Sequence, residues 1–194
     1  MNKGFLLVLM QPPTALEDEF NAWYDTEHLA ERLAVPGFET ALRYVCIDGA
    51  PRYLAMYDMT SQEVLTSPDY LRVAHENGSP WTLRVTSRVR VYRYAGRQVY
   101  PGTAITVPST RVLLLRFRGL QQADEATIVA GMRANFEKRR ETIQVRAFAH
   151  HNRAGIDYLG FVEARAPLAE SFDLAAFGKC SSAIDLANTY TTYA

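Results

Sequence analysis

Cysteine is nearly absent from this chain. Two residues, Cys46 and Cys180, stand far apart in 194, which supports neither a disulfide framework nor a zinc site. Net charge is absent too: 21 Lys and Arg balance 21 Asp and Glu. A dedicated binder of nucleic acid or of an anionic membrane shows a basic excess, so neither partner is expected. The basic cluster Arg84, Arg88, Arg90 and Arg93 reads as the outer side of a strand and its approach. No run reaches the roughly 18 apolar residues of a membrane-spanning helix. The apolar Phe5–Met10 follows a single lysine and meets Gln11-Pro12-Pro13 with no small-residue cleavage site, so it reads as a buried strand rather than a leader. A cytoplasmic protein is expected. With 48% hydrophobic residues a sizeable core is available, and wholesale disorder is excluded.

Gly, Pro and capping signals divide the chain into elements. Residues 5–10 read as a strand. Thr14 and Glu17 form a capping-box pattern for a helix over 15–34, stopped by Pro36-Gly37. Residues 40–47 and 53–59 read as strands around the turn Asp48-Gly49-Ala50-Pro51. Residues 61–87 read as helix in pieces, broken at Pro68 and around Gly78-Ser79-Pro80, and 89–95 as a strand. The order is βαββαβ, the ferredoxin-like motif. It starts again after a linker at 100–109: strand 111–117, helix 124–139, strands 143–150 and 158–164, helix 172–187 and a short strand at 190–193.

Arg43 and Arg146, Tyr53-Leu54 and Tyr158-Leu159, and Tyr94-Ala95 and Tyr193-Ala194 echo between the halves. The expected fold is therefore α+β: two tandem ferredoxin-like βαββαβ repeats, 1–99 and 110–194. The first strand is apolar on both sides, with Phe5, Leu7 and Leu9 on one and Leu6, Val8 and Met10 on the other. Such strands need cover on both faces. Pairing the two antiparallel sheets into a barrel-like intramolecular pseudo-dimer supplies it. A further homodimer of the tandem chain fits the commonest closed symmetry.

The first helix carries the unusual chemistry. At about 100° per residue, Leu16, Phe20, Ala22, Trp23, Leu29, Ala30, Leu33 and Ala34 form an apolar arc. Asn21, Asp25, His28 and Arg32 fall opposite, and Glu27 lies inside the arc one turn after Trp23. A carboxylate in apolar surroundings is costly unless paired, protonated or used. Two readings of Glu27 are open: a structural carboxylate bonded to a strand tyrosine or to Arg43, or the wall of a ligand pocket. His28 is either a half-exposed helix residue or a general acid–base whose charged form neighbouring carboxylates favour. Phe20 and Trp23 read as core or as the aromatic wall of a cavity. Strand alternation puts Tyr44 with Leu42 and Cys46, and Tyr53 with Tyr57; buried tyrosine hydroxyls here would bond Glu27 or a ligand. In the second half Met132 and Phe136 repeat the spacing of Trp23 and Glu27 without a carboxylate. His75 reads as a solvated helix end. His150 and His151 are adjacent on a strand and point to opposite faces, so they do not share a metal; no metal site is expected.

Phe20-Asn21-x-Trp23-Tyr24-x-x-Glu27-His28, then Pro36-Gly37-Phe38 and Arg43-Tyr44, resembles the EthD-like branch of the dimeric α/β-barrel superfamily. The match covers the first half; the second half fits by element order. The resemblance implies ferredoxin-like units paired into a barrel, and a small aromatic or polyketide-like ligand. It implies Trp23, Tyr24, Glu27 and His28 as pocket residues. His28 and Glu27 are then the catalytic candidates, and Phe20, Trp23, Tyr24, Arg43, Tyr44 and Tyr57 the substrate-binding ones. The superfamily includes isomerases, monooxygenases without cofactor, and haem-using branches; some fungal relatives act as decarboxylases or dehydratases. No cofactor is expected here. An accessory binding protein and a purely structural module are the alternatives to an enzyme.

Overall fold

A computed structural model describes residues 2–74, 77–169 and 171–193. His75 and Ala194, which figured in the expectations above, lie outside the described residues. Eight strands form a closed antiparallel barrel: β1 (Gly4–Gln11), β2 (Phe38–Cys46), β3 (Tyr53–Met59), β4 (Arg90–Tyr100), β5 (Arg111–Leu120), β6 (Thr142–Asn152), β7 (Gly155–Ala164) and β8 (Ile184–Thr192). Their order around the barrel is β1-β3-β2-β8-β5-β7-β6-β4. The fold is α+β. The first four strands join the last four along two seams, β2 with β8 (Cys46 opposite Tyr190) and β4 with β6 (Arg97 opposite Ala149). Closure leaves no free sheet edge among these strands, which removes the usual template for edge-to-edge aggregation.

Alternation sorts the side chains into an inner core and two outer layers. Phe5, Leu7, Leu9, Leu54, Met56, Phe148 and Phe161 fill the barrel. On the outside of the first four strands, Leu6, Met10, Tyr53 and Tyr57 meet the first helix. On the outside of the last four, Leu115, Phe117, Val145 and Tyr158 meet the second. The two sides expected for the first strand are thus both covered, one by the barrel and one by helices. Arg43 and Arg146 do not share a face. Arg43 lies among aromatic rings of the helix side. Arg146 is fully buried inside the barrel, paired with Asp58 at 2.6 Å and Glu163 at 3.2 Å.

The first helix departs from its expected form. Thr14–Leu16 is a short 3₁₀ turn with no side-chain cap, so the Thr14–Glu17 capping box does not form. After it come α1 (Glu17–Trp23), a π turn (Tyr24–His28) and α2 (Leu29–Leu33), all with right-handed helical backbone. A π turn spends an extra residue on one turn, so every position after it is rotated by about 100° from the α-helical wheel. Leu33 is therefore 46% exposed while Arg32 is 5% exposed, the reverse of the expectation. Ala30 and Ala34 are exposed as well, and so is Ala22, which lies ahead of the π turn.

Downstream, α3 (Pro68–Leu71) and α4 (Pro80–Thr86) each start with a serine N-cap followed by proline, a pairing that satisfies one free amide and removes another. The second half has α5 (Glu125–Met132) and its own π turn (Arg133–Glu137). Residues 172–187, expected as a helix, give a 3₁₀ segment (Leu174–Ala183) and then the start of β8. Gly178 interrupts the segment at φ 51°. β4 and β8 are longer than their sequences suggested: the end of β4 pairs across the seam with β6, and the start of β8 pairs with β5.

Candidate functional site

A cavity of about 410 Å³ lies between the first helix, the outer face of β1, β3 and β4, and the segment around α4. Such a volume suits a small organic molecule. The helix contributes Phe20, Trp23, Tyr24, His28 and Arg32; the strands contribute Leu6, Met10, Tyr57 and Arg93; α4 contributes Thr82, Val85 and Thr86, with Tyr70 nearby. Among the described residues, no carboxylate lines it.

The π turn decides which polar groups reach this space. In an α-helix Glu27 would follow Trp23 by one turn. Here the residue packed on Trp23 is His28, five positions on, with ring centroids 4.2 Å apart. Tyr24 meets the same imidazole edge-on at 5.0 Å. His28 Nδ1 is enclosed and makes no hydrogen bond; Glu31 Oε2 lies 4.0 Å from it. Burial, with help from the Arg32 and Arg43 guanidiniums, pulls the His28 pKa down to about 3. The ring is neutral at ordinary pH. This corrects the expectation that carboxylates favour its charged form: burial, and then the Arg32 and Arg43 charges, disfavour it.

Tyrosine hydroxyls line the opposite wall. Tyr24 donates to Met10 Sδ at 3.2 Å, and Tyr57 donates to Tyr24 at 3.4 Å. Burial pushes the Tyr24 phenol up to about 12 and holds Tyr57 well above its ordinary value. Both remain protonated and can act as donors.

Glu27 does not line the cavity. It is half-buried and turned to the start of α4, where it accepts hydrogen bonds from the Ser79 hydroxyl and from Thr82 Oγ1 at 3.1 Å. Thr82 Oγ1 also accepts from Trp23 Nε1 at 3.0 Å. Ser79 in turn caps α4 by accepting from the Thr82 amide at 3.0 Å. Glu27 thus ties α4 to the first helix through Ser79 and Thr82, rather than to a strand tyrosine or Arg43.

Arg43 sits on the far side of Tyr24. It is bonded to Asp25 at 2.5 Å and Asn21 at 2.6 Å, with its guanidinium carbon 3.9 Å from the Tyr193 ring centroid and 4.3 Å from that of Tyr24. Tyr44 faces the barrel interior, edge-on to Phe161. Of the sequence candidates, the cavity brings together Phe20, Trp23, Tyr24, His28 and Tyr57; it does not reach Glu27, Arg43 or Tyr44.

Arg32, Tyr70 and Arg93 were missed. Arg32 was hidden by the π turn, which no pattern of apolar residues announces. Arg93 was legible in part, since it alternates with Val89 and Val91, both of which also line the cavity. His150 lies away from this site, against Tyr94 and the backbone of Ala95. Among the described residues no group of three or more His, Cys, Asp or Glu could hold a metal. Both cysteines are free and buried, and no helix is long and apolar enough to cross a membrane.

No family model matches this chain, and no curated protein matches it. Solved structures do. An anthrone oxidase-like protein is similar over 100% of this chain and 92% of its own, with TM-score 0.70 and 12% identity. A putative monooxygenase from Lactobacillus acidophilus is similar over 100% and 94%, with TM-score 0.57 and 8% identity. A heme-binding protein from Thermus thermophilus is similar over 100% and 92%, with TM-score 0.55 and 10% identity. These neighbours are dimeric α/β-barrel proteins, and the likeness at these identities is one of fold. The architecture is that of a dimeric α/β-barrel protein, with all eight strands supplied by one chain.

Proposed function

We propose that this protein is an EthD-like enzyme that binds a small aromatic or polyketide-like molecule in the cavity and moves a proton on it with His28, without a cofactor. The observation that carries this reading is a neutral imidazole packed on Trp23 in an aromatic-walled cavity. A neutral imidazole has a free lone pair for a proton; burial leaves it a weak base in the empty cavity, and its basicity rises as a bound ligand offsets the Arg32 and Arg43 charges. In the proposed step a C–H bond next to a ring carbonyl breaks, its proton passes to His28, and the electron pair moves to the carbonyl oxygen. Tyr57 and Tyr24 supply hydroxyls to that oxygen. Isomerisation and oxygenation both proceed from such an anion. Glu27 serves as a positioning residue through α4. The name of the anthrone oxidase-like neighbour lends support to an aromatic ketone as substrate. We also propose that residues 1–99 and 110–194 are repeats of one unit joined by 100–109, supported by corresponding strand order in the two halves and a π turn after the first α-helix of each.

The test is deuterium exchange at the methylene of anthrone, followed by NMR in heavy water. Wild type should accelerate it. His28→Gln should slow the catalysed exchange by about 10²–10⁴-fold while anthrone still quenches tryptophan fluorescence. Binding without any acceleration would instead make the protein an accessory binder.

A second reading draws on the heme-binding neighbour and on one observation, that His28 offers a neutral ring in a cavity holding two arginines. His28 would then hold the iron, and Arg32 and Arg93 would face the carboxylates; the group would supply redox chemistry. A Soret band on titration with haemin, lost in His28→Ala, would favour it.

A further inference from the structure

We infer that the ligand of this cavity is an acid, an aromatic frame bearing a carboxylate, and that Arg32 is the residue that selects it. This rests on the cavity being the binding site proposed above.

The first observation is an incomplete set of bonds on a buried cation. Arg32 is 5% exposed. Its Nη2 donates to the Val73 carbonyl at 2.9 Å and stands 3.8 Å from Glu31 Oε2. Its guanidinium carbon lies 5.4 Å from the Tyr70 ring centroid. Nη1 is buried and has no hydrogen-bond partner. A buried guanidinium donor left unpaired is costly, and Arg32 lines the cavity.

The second observation is the charge balance of the walls. Arg32 and Arg93 are both there, and among the described residues no carboxylate is. Arg93 is exposed and reaches the Tyr70 hydroxyl at 3.3 Å, placing a second cation beside the cavity where an anion would enter. Glu31, the nearest acid to Arg32, is outside the lining and faces Nη2, not Nη1. Among the described residues the remainder of the wall is apolar or neutral. Such a space rejects cations, accepts neutral rings and gives a carboxylate a charge-assisted partner.

There is a consequence for His28. The Arg32 charge helps to suppress its protonation. A carboxylate seated on Arg32 offsets that charge, so the bound acid itself makes the imidazole a better base. A neutral ring would not.

The experiment is isothermal titration of the full chain with 2-naphthoate and with its uncharged isostere 2-naphthamide, at low and at raised salt. Naphthoate should bind about 10–100-fold more tightly than the amide, the range expected for a charge-assisted pair removed from water. Arg32→Gln should abolish that preference, so that acid and amide bind alike. Arg32→Lys should restore part of it, and Arg93→Gln should lower it slightly and mainly at low salt. Equal affinity for acid and amide in the wild type overturns the inference while leaving the aromatic site intact. A preference that survives Arg32→Gln likewise overturns the role of Arg32. Binding of neither compound overturns the proposed site and this inference with it. The wild-type comparison needs no variant, so the test stands even where Arg32→Gln fails to fold.

Discussion

The two helix-on-sheet layers of this barrel start from similar parts and end differently. Both begin with an α-helix followed by a π turn, Tyr24–His28 in one and Arg133–Glu137 in the other. In the second layer Met132 and Phe136 are fully buried against Phe177 and the strands. Space there is exhausted: a Cβ on Gly131 would lie 2.3 Å from the Phe177 ring, and one on Gly160 would lie 2.4 Å from Met132 Sδ. In the first layer Trp23 and His28 stand in place of such filler, and α4 is held off the sheet far enough to leave a cavity. The π turn does different work in each. In the first layer it packs His28 on Trp23. In the second, Glu137 turns outward to Tyr100 and Arg133. One layer stabilises; the other gives up packing for a site, a trade that functional sites commonly show.

The difference can be broken most strongly by emptying the filled layer. Met132→Ala should cost about 2–5 kcal/mol, because the space left has no solvent to fill it and the neighbours are strands that cannot collapse. Val85→Ala, in the cavity wall, should cost about 1 kcal/mol, since it enlarges a space already present. Urea denaturation of the two variants measures both. Equal costs would mean that the cavity closes in solution. Overfilling sharpens the same contrast: Gly131→Ala should cost about 1–3 kcal/mol through its contact with Phe177.

A smaller effect tests the carboxylate that follows the motif aromatics. Glu27→Gln keeps shape and an acceptor but removes the charge received by Ser79 and Thr82. A loss of about 1 kcal/mol is expected, seen as a lower Tm, with 2-naphthamide affinity unchanged within about twofold. If affinity fell with stability intact, Glu27 would belong to the site after all.

These contrasts show where the sequence was readable. Alternation in Phe5–Met10 announced two covered faces, and both faces are covered. Pro68 and Gly78-Ser79-Pro80 read only as breaks between helical pieces; each turns out to be a helix start capped by the serine before the proline. The motif aromatics Phe20, Trp23 and Tyr24 could be placed because they precede the π turn or open it, where the α-helical wheel still holds. Beyond it the wheel fails. Glu27 was expected inward, Arg32 and His28 outward, and each inference was off by one residue's rotation. The π turn rests on tertiary packing of Trp23 against Thr82 and His28, contacts that span up to 59 positions, and local periodicity does not encode them. Residues 174–183 escaped for a related reason. Gly178 at positive φ breaks the helix from within, and pairing of β8 with β5 converts its tail to strand.

The finest contrast is in pH. Unfolded, His28 titrates near 6.5; folded, it titrates at about 3, because burial and the Arg32 and Arg43 charges disfavour the imidazolium. Between those values the unfolded chain holds the extra proton. Stability therefore rises with pH through this window, by at most about 1.4 kcal/mol per unit. The contribution is complete above about 6.5 and gone below about 3. Glu137, which follows Phe136 as His28 follows Glu27, behaves differently. Hydrogen bonding from Tyr100 and Arg133 lowers its carboxyl, so its contribution is present above its ordinary carboxylate range and is lost only as pH falls below it. Glu31 and Glu163 are shifted upward by burial and oppose both trends, so each effect must be read as a difference between wild type and variant. The wild-type minus His28→Gln stability should slope between about pH 6.5 and 5.5, where the wild-type minus Glu137→Gln difference is nearly flat. Coincident slopes would place the two π turns in equivalent surroundings, and the distinction between a working layer and a filled one would fail.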